Sequence, residues 1–336
     1  MNAFKPPLTG SATRRHVLGT LGAGLAAIAA GPVRAQAPPF PDRLIRVVPF
    51  GSAGGPMDVI ARFYGEKLKQ RWGQPVIIDA RPGASGTIAA DYVAKAAPDG
   101  YTVMLTLPIT HINNVVLQSR LPYDPLKDFA PLSQIATGGP MLIARASEPF
   151  SNVREFVAYA KAHPGVSYGT WGNGSNAHLF GELLRRQTGI DLVHVPYKAE
   201  AAAHTAMVGG SRGVAWANPS TARALAQAGK IRVLGIAGTR RVRSMPDVPT
   251  FGEQGFAGFD LDSWIGLYAP AKTPAPTVAA WTTALQEITR MPDVQERLVS
   301  FGFEPLGNTP AEFIANYKAD FPRVAELIKA AGVTPE

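Results

Sequence analysis

The chain has no cysteine among its 336 residues. This absence excludes disulfide bonds, thiol catalysis and metal sites built on thiolates, and it is compatible with export from the cytoplasm without proving it. The six histidines show no spacing that pairs them as metal ligands. We therefore expect neither a bound metal nor any other cofactor.

The usual sequence signatures of several enzyme classes are also missing. There is no phosphate-binding Gly-x-x-x-x-Gly-Lys loop and no Gly-x-Ser-x-Gly nucleophile elbow. Residues 172–177 fit the spacing of a dinucleotide-binding loop, but the next predicted strand ends in Tyr197 and Lys198 instead of the acid that binds the ribose. Because no acid–base pair emerges at a readable spacing, we predict that the protein is not an enzyme.

Clustered basic charge is scarce, although the formal net charge is +8. The only basic cluster, at residues 240–243, has no interleaved aromatic residues and is typical of a solvated loop. We therefore predict no nucleic-acid partner. Removal of an N-terminal signal segment would take away four basic residues and no acidic one, which lowers the charge to +4.

Residues 1–37 have the order of a cleaved signal peptide. Arg14 and Arg15 precede an uncharged stretch at residues 17–30 that is too short to span a membrane, and small residues follow around Ala35 and Ala37. The arginine pair favours a twin-arginine signal, with a general secretory signal as the alternative. No later stretch approaches 18 apolar residues. We therefore expect a soluble, exported protein in the periplasm of a Gram-negative type of cell.

Three segments join a predicted strand to a predicted helix through a loop: residues 47–58, 166–178 and 191–198. In the first, an apolar run stops at Pro49 and Pro56 opens the helix, where a missing N–H costs little. Such loops present backbone N–H groups and the positive end of a helix dipole. Together they predict one site for a small anion that is held without a basic side chain.

These segments resemble the tripartite tricarboxylate transporter receptor family, the Bug-type periplasmic solute-binding proteins. The resemblance runs in order from about residue 44 to the C-terminus, and it rests on residues 54–58, 73–76, 81–86, 94–101, 121–125, 127–129, 172–174, 194–198, 246–250 and 263–264. It implies a two-lobed α/β fold of the Venus flytrap kind with a ligand cleft between the lobes. Lobe I would comprise residues 38–138 and 264–336, and lobe II residues 139–263.

The hydrophobic pattern alone predicts alternating strands and helices. Strands are predicted at residues 44–50, 76–78 and 102–107, and amphipathic helices near 56–71 and 86–97. This alternation favours parallel sheets. Two stretches are predicted to cross between the lobes, residues 132–145 and 259–269. Pro310 is predicted to start a late helix that Pro322 bends.

The resemblance implies that a ligand carboxylate lies between the Gly54–Gly55 loop and the loop at residues 170–175. The ligand-binding residues that we predict are Phe50, Ser52, Ala53, Gly54, Gly55, Thr170, Trp171, Asn173, Gly174, Ser175, Ala199, Trp216 and Asn218. Asp58, at the third helical position, is expected to cap free N–H groups instead of acting as a base.

The chain departs from the family pattern at four places in the implied pocket. The first loop is one residue longer than usual, Trp171 replaces a small residue, Ala199–Glu200 replaces Gly-Ser, and residues 216–218 replace Phe-Asp-Asn. Both tryptophans add apolar surface, either to the pocket or to core packing. Glu200 is a helix-dipole partner or, if it faces the cleft, repels a second carboxylate. These departures favour a monocarboxylate with an aromatic or otherwise apolar body.

The function that these observations predict is capture of a small carboxylate by lobe closure and its delivery to the membrane permease subunits of a tripartite transporter. One alternative is a periplasmic input that reports ligand to a membrane signalling kinase. Another is a hydrolase that uses Ser175 and His178, although no third acid to orient the histidine is apparent.

Overall fold

The computed structural model describes residues 40–197, 199–210 and 213–332. The predicted signal peptide and Lys198 lie outside the described residues. Within the described part, none of the helices combines the length and the apolar character that crossing a membrane requires.

Strands and helices alternate along most of the chain. The strands are β1 (Ile45–Pro49), β2 (Val76–Ile78), β3 (Thr102–Thr106), β4 (Phe129–Gly138), β5 (Met141–Arg145), β6 (Val166–Thr170), β7 (Leu192–Pro196), β8 (Gly213–Ala217), β9 (Ile231–Ile236), β10 (Ser263–Pro270) and β11 (Glu304–Pro305). The helices are α1 (Pro56–Trp72), α2 (Thr87–Ala94), α3 (Asn114–Leu117), α4 (Val153–Ala162), α5 (Asn176–Thr188), α6 (Glu200–Val208), α7 (Pro219–Gln227), α8 (Ala275–Thr289), α9 (Pro292–Ser300) and α10 (Pro310–Ala330). A 3₁₀ turn, Ala84–Gly86, precedes α2, and a π-helical turn, Ile109–Asn113, precedes α3.

The strands form two mixed sheets. The first has the order β11-β4-β10-β3-β1-β2 and the second β7-β6-β8-β5-β9. Strands β2, β1 and β3 are parallel, as are β7, β6 and β8. Strands β4, β10, β11 and β5 pair antiparallel with their neighbours. The prediction of parallel sheets is therefore wrong for these strands and for β9, which pairs antiparallel with β5. Strand β4 leads from the first sheet straight into β5 of the second, without the helical crossover that joins parallel neighbours.

Helix α1 illustrates how local sequence sets an element. It begins at Pro56 and ends where Gly73 takes a left-handed conformation, with φ of 67°, and its N–H bonds the Lys69 carbonyl. One face of the helix is buried against the first sheet, and it comprises Met57, Ile60, Ala61, Tyr64 and Leu68. The predicted bounds of β1, β2, β3 and α1 agree with the structure to within one residue.

Each sheet packs its own apolar core, and three segments connect the two. Strand β4 passes through Gly139 and Pro140 into β5, and the segment from Phe259 passes from the second core into β10. The third connection, helix α10, was not predicted from the sequence. Its Phe313 and Tyr317 pack in the core of the first sheet, whereas Val324 and Leu327 pack against the core of the second. Pro322 lies inside the helix between these two halves.

Candidate functional site

A cleft of about 290 Å³ is walled by residues that belong to both sheets and their connections. The wall comprises Phe50, Leu107, Pro108, Ile109, Gly138, Gly139, Pro140, Trp171, Ser175, Asn176, Glu200, Asn218, Pro219, Ser263, Gly302 and Phe303. Most of these residues are apolar. Among the described residues that form the wall there is no lysine, arginine or histidine, and Glu200 is the single ionisable side chain.

Three helices of the second lobe begin at this wall. Ser175 is the cap residue of α5, Glu200 is the first residue of α6, and Asn218 immediately precedes Pro219 at the start of α7. The N-terminus of a helix carries a partial positive charge and unsatisfied N–H groups. The helix termini therefore offer a favourable potential to an anion although the wall lacks a basic side chain, and the Glu200 carboxylate takes up part of this potential at the starts of α6 and α7.

The loop before α5 is held by its own hydrogen bonds and by the first lobe. Gly172 and Gly174 have φ of 125° and 69°, a backbone region that favours glycine. The Ser175 hydroxyl donates to the Gly172 carbonyl at 2.7 Å and accepts from the backbone N–H of His178 at 3.3 Å. From the first lobe, Asn113 Nδ2 donates to the Gly174 carbonyl at 3.2 Å. The loop is thus shaped before any ligand arrives.

Two stacked histidines form hydrogen bonds with this loop and with the end of the strand before it. The rings of His178 and His194 lie 3.9 Å apart and 6° from parallel. His178 Nδ1 accepts from the Gly174 N–H at 3.1 Å, and His194 Nε2 lies 2.7 Å from the Thr170 hydroxyl. Burial lowers the pKa of both imidazoles, that of His194 to about 4. At neutral pH both rings are therefore uncharged.

The geometry does not support a hydrolase at Ser175 and His178. The Ser175 hydroxyl donates to the Gly172 carbonyl, and Nδ1 of His178 is taken by the Gly174 amide. The hydrogen bonds of the described residues include none between the Ser175 hydroxyl and the His178 ring, which a serine nucleophile needs from its base. Likewise, in the described part of the chain no cluster of three acidic or histidine side chains is placed to hold a metal ion.

The first glycine loop is occupied by the protein's own carboxylate. Asp58 Oδ2 accepts from the Gly54 N–H at 2.9 Å, and both carboxylate oxygens accept from Arg62, at 2.8 and 3.0 Å. The Arg62 hydrogen bond is the main cause that lowers the pKa of Asp58. Asp58 therefore caps the loop as expected, and the Gly54 amide that we expected to be free for a ligand is already used.

Four of the predicted site residues belong to the cleft wall, namely Phe50, Trp171, Ser175 and Asn218. The other nine lie outside it: Ser52, Ala53, Gly54, Gly55, Thr170, Asn173, Gly174, Ala199 and Trp216. Ser52, Ala53, Gly54, Asn173 and Ala199 are exposed, and Thr170 is fully buried.

Of the two positions predicted for Trp216, the pocket or the core, the structure has the core. Its side chain is fully buried in the core of the second sheet, where its ring stacks on Phe251 at 5.6 Å. Neighbouring side chains of β8 point to opposite faces of the sheet, so Ala217 packs in a different cluster from Trp216. Both faces of β8 are buried, and the large ring lies on the face that packs against the aromatic residues Phe180, Phe251 and Phe259.

Most of the wall residues that the first lobe and the connections supply were not predicted from the sequence. Gly138, Gly139 and Pro140 lie within the predicted crossing stretch, which was a usable signal, because a cleft between lobes must include their connections. Ile109 is the first residue of the π-helical turn, and local sequence patterns do not predict such a turn. Phe303 precedes β11, a strand of two residues, and the sequence carries no readable signal for it.

The chain has two β-sheets with packed helices, crossing segments between them, and a cleft on which helix N-termini converge. This architecture is that of the periplasmic binding proteins. Residues 60–333 match the family described as "Tripartite tricarboxylate transporter family receptor". This match covers most of the chain, and the chain therefore belongs to that family.

Solved structures support the same fold. The R. palustris protein Rpa4515, solved with adipate, is 32% identical over 88% of this chain and 100% of its own, with a TM-score of 0.79. The periplasmic binding protein BugD is 32% identical over 88% of this chain and 100% of its own, with a TM-score of 0.75. MatC (Rpa3494) from Rhodopseudomonas palustris, solved with bound malate, is 33% identical over 86% of this chain and 100% of its own, with a TM-score of 0.72. The predicted family and the predicted fold class are confirmed.

Proposed function

We propose that this protein is a periplasmic receptor that captures a small carboxylate by lobe closure and delivers it to the membrane subunits of a tripartite-type transporter. The observation that carries the proposal is the convergence of α5, α6 and α7 on a cleft wall without lysine or arginine. Such a wall attracts one negative charge through backbone groups and helix dipoles.

The bound compounds of two relatives support the chemical class. Rpa4515 was solved with adipate and MatC with malate, and both compounds are small carboxylates. In this chain we propose a monocarboxylate with an aromatic or otherwise apolar body. Phe50, Trp171 and Phe303 give the cleft flat apolar surface, and aromatic contacts add about 0.5–1.5 kcal/mol beyond area burial.

Ser175→Ala tests the site. The hydroxyl holds the Gly172 carbonyl and caps α5, so its removal loosens the loop that faces the cleft. Because loss of a helix cap costs about 0.5–2 kcal/mol, we expect carboxylate binding to weaken by about two- to thirtyfold. Ser300→Ala is the matched control, because its hydroxyl bonds the Arg297 carbonyl within α9, which contributes no residue to the wall.

Isothermal calorimetry with benzoate and hexanoate measures both variants against the wild type. Unchanged affinity in Ser175→Ala would contradict the proposed site. Failure of the wild type to bind any member of a panel of benzoates, aliphatic carboxylates, citrate and amino acids would contradict the proposed function. Conversion of a bound compound into a product would identify an enzyme instead.

A further inference from the structure

Glu200 is the one wall residue that brings a formal charge into the cleft. It is the first residue of α6, and its side chain keeps 20% of its surface exposed. It lines the cleft together with Asn218, the residue before α7. The single charge in a cleft that is otherwise suited to an anion is therefore negative, and it lies at the meeting point of two helix N-termini.

The Glu200 carboxylate already makes the contacts that a ligand carboxylate would seek at this end of the cleft. One oxygen accepts from the backbone N–H of Asn218 at 2.7 Å, and the other accepts from Asn218 Nδ2 at 2.5 Å. Asn218 makes no side-chain cap to α7, and the next residue, Pro219, has no N–H. Glu200 thus occupies the donors that Asn218 presents at the start of that helix.

No basic group in the wall compensates for this charge. His204, one turn along α6, has Nε2 3.8 Å from Glu200, but the same nitrogen lies 2.9 Å from the Trp216 carbonyl. His204 is buried and lies outside the cleft wall. A ligand carboxylate placed at the Asn218 end of the cleft would therefore be repelled by Glu200, with no basic side chain of the wall to offset the repulsion.

We infer that Glu200 acts as a built-in second carboxylate that sets the ligand class. It fills the Asn218 donors and repels a carboxylate at the far end of a ligand, so the cleft accepts monocarboxylates and discriminates against dicarboxylates. This inference rests on the proposed function, because it assumes that the ligand's first carboxylate binds at the same cleft. Glu200 is therefore a specificity-determining residue, and its removal weakens the preference for monocarboxylates over dicarboxylates.

Matched ligands that differ only at the far end test the inference. Hexanoate, adipate and 6-aminohexanoate carry a neutral, a negative and a positive group at that end, and benzoate and terephthalate form an aromatic pair. Calorimetry at pH 7.5 compares the wild type with Glu200→Gln, which removes the charge at similar size, and Glu200→Ala, which also frees Asn218. Glu66→Ala is the control, since it removes an exposed acid of α1 outside the cleft wall.

We expect the wild type and Glu66→Ala to bind hexanoate at least tenfold more tightly than adipate, and 6-aminohexanoate more tightly than adipate. In Glu200→Ala the ratio of adipate to hexanoate affinity rises at least tenfold, with a smaller rise in Glu200→Gln. Melting temperatures without ligand establish that the variants are folded.

Three results would overturn the inference. The first is a wild type that prefers adipate to hexanoate. The second is an affinity ratio that stays within threefold of the wild type in both Glu200 variants while hexanoate still binds, which leaves the proposed function intact. The third is absence of binding of all five ligands to every protein, which removes the proposed function and the inference together.

Discussion

His111 is a buried, uncharged histidine in the core of the first lobe. Its side chain is fully buried, its ring stacks on Tyr268 at 4.0 Å, and Nδ1 lies 2.7 Å from the Thr110 hydroxyl. Nε2 is buried without a hydrogen-bond partner. Burial lowers the pKa of His111 to about 3. Because the unfolded chain binds the proton more tightly than the folded one, stability is lost as the pH falls from about 6.5 towards 3.

The variant His111→Phe keeps an aromatic ring against Tyr268 and removes the titrating group. For a pKa that changes from 6.5 to about 3 on folding, linkage gives a loss of about 2 kcal/mol between pH 7 and pH 5. We expect urea titrations to show that His111→Phe loses less unfolding free energy over this range than the wild type, by about that amount. His163→Phe, at an exposed position after α4, is expected to keep the wild-type pH dependence. If the unfolding free energy of His111→Phe changed with pH as steeply as that of the wild type, His111 would not be the group that causes the loss of stability.

At the same scale, Trp171 and Trp216 show what the sequence could and could not predict. Each lies next to a predicted loop and stands where the family usually has a smaller residue. The neighbouring sequence does not indicate which of the two faces the cleft. Trp171 lines the cleft, whereas Trp216 lies in the core. Trp171 is in the loop after β6, whereas Trp216 is on the face of β8 that packs against Phe180 and Phe251. These partners are distant in the chain, so the difference is set by long-range packing instead of by sequence neighbours.

At the scale of elements, the crossing between β4 and β5 depends on a residue without a side chain. A Cβ atom at Gly139 would lie 1.5 Å from the Ala237 carbonyl oxygen and 2.6 Å from its carbon. Both atoms belong to the backbone after β9, so no rotamer change relieves the clash. The close approach is anchored by the Ala237 N–H, which donates to the Pro140 carbonyl at 2.9 Å.

We therefore expect Gly139→Ala to destabilise the protein by at least about 2 kcal/mol and to weaken carboxylate binding, because the crossing also forms the cleft wall. Gly252→Ala is the matched control, since the nearest atom to a Cβ there is the Thr250 hydroxyl oxygen at an ordinary 3.7 Å. Urea unfolding and calorimetry measure both variants. Wild-type stability and affinity in Gly139→Ala would mean that the crossing lies further from the Ala237 carbonyl than described.

Elements with strong local signals were predictable, and elements defined by their partners were not. Pro56 and Gly73 mark the ends of α1, and the prediction placed them within one residue. The pairing direction of β4, β5 and β10 was missed, because a pattern of apolar residues indicates a strand but not its neighbour. Strand β11 was missed altogether, since two residues are too few to form a pattern.

At the scale of the whole molecule, the pattern alone predicted an α/β class with two lobes, and the resemblance added the Venus flytrap architecture with a ligand cleft between them. The assignment of residues 264–336 to lobe I stays a prediction. It does not anticipate that Val324 and Leu327 of α10 pack against the core of the second sheet. An amphipathic pattern predicts that a helix buries one face, but it does not identify the core that covers it.

Capture by lobe closure requires these connections to bend, and the chain has features suited to this at each of them. The β4–β5 crossing consists of Gly139 and Pro140. Pro322 lies inside α10, between the half that packs on the first core and the half that packs on the second. A proline inside a helix removes one backbone hydrogen bond and favours a bend at that place. Asn113 of the first lobe donates to the Gly174 carbonyl, so a ligand beside Ser175 would contact a loop that both lobes position.

We expect a carboxylate that binds in calorimetry to lower the radius of gyration in X-ray scattering at saturating concentration, because contacts from both lobes draw them together. The same ligand should raise the melting temperature in proportion to the logarithm of its concentration above the dissociation constant. Hexan-1-ol, which has the hexanoate chain without a carboxylate, is the control and is expected to change neither quantity. A melting temperature that rises while the scattering curve stays identical would indicate that the cleft is preformed and that binding needs no movement of the lobes.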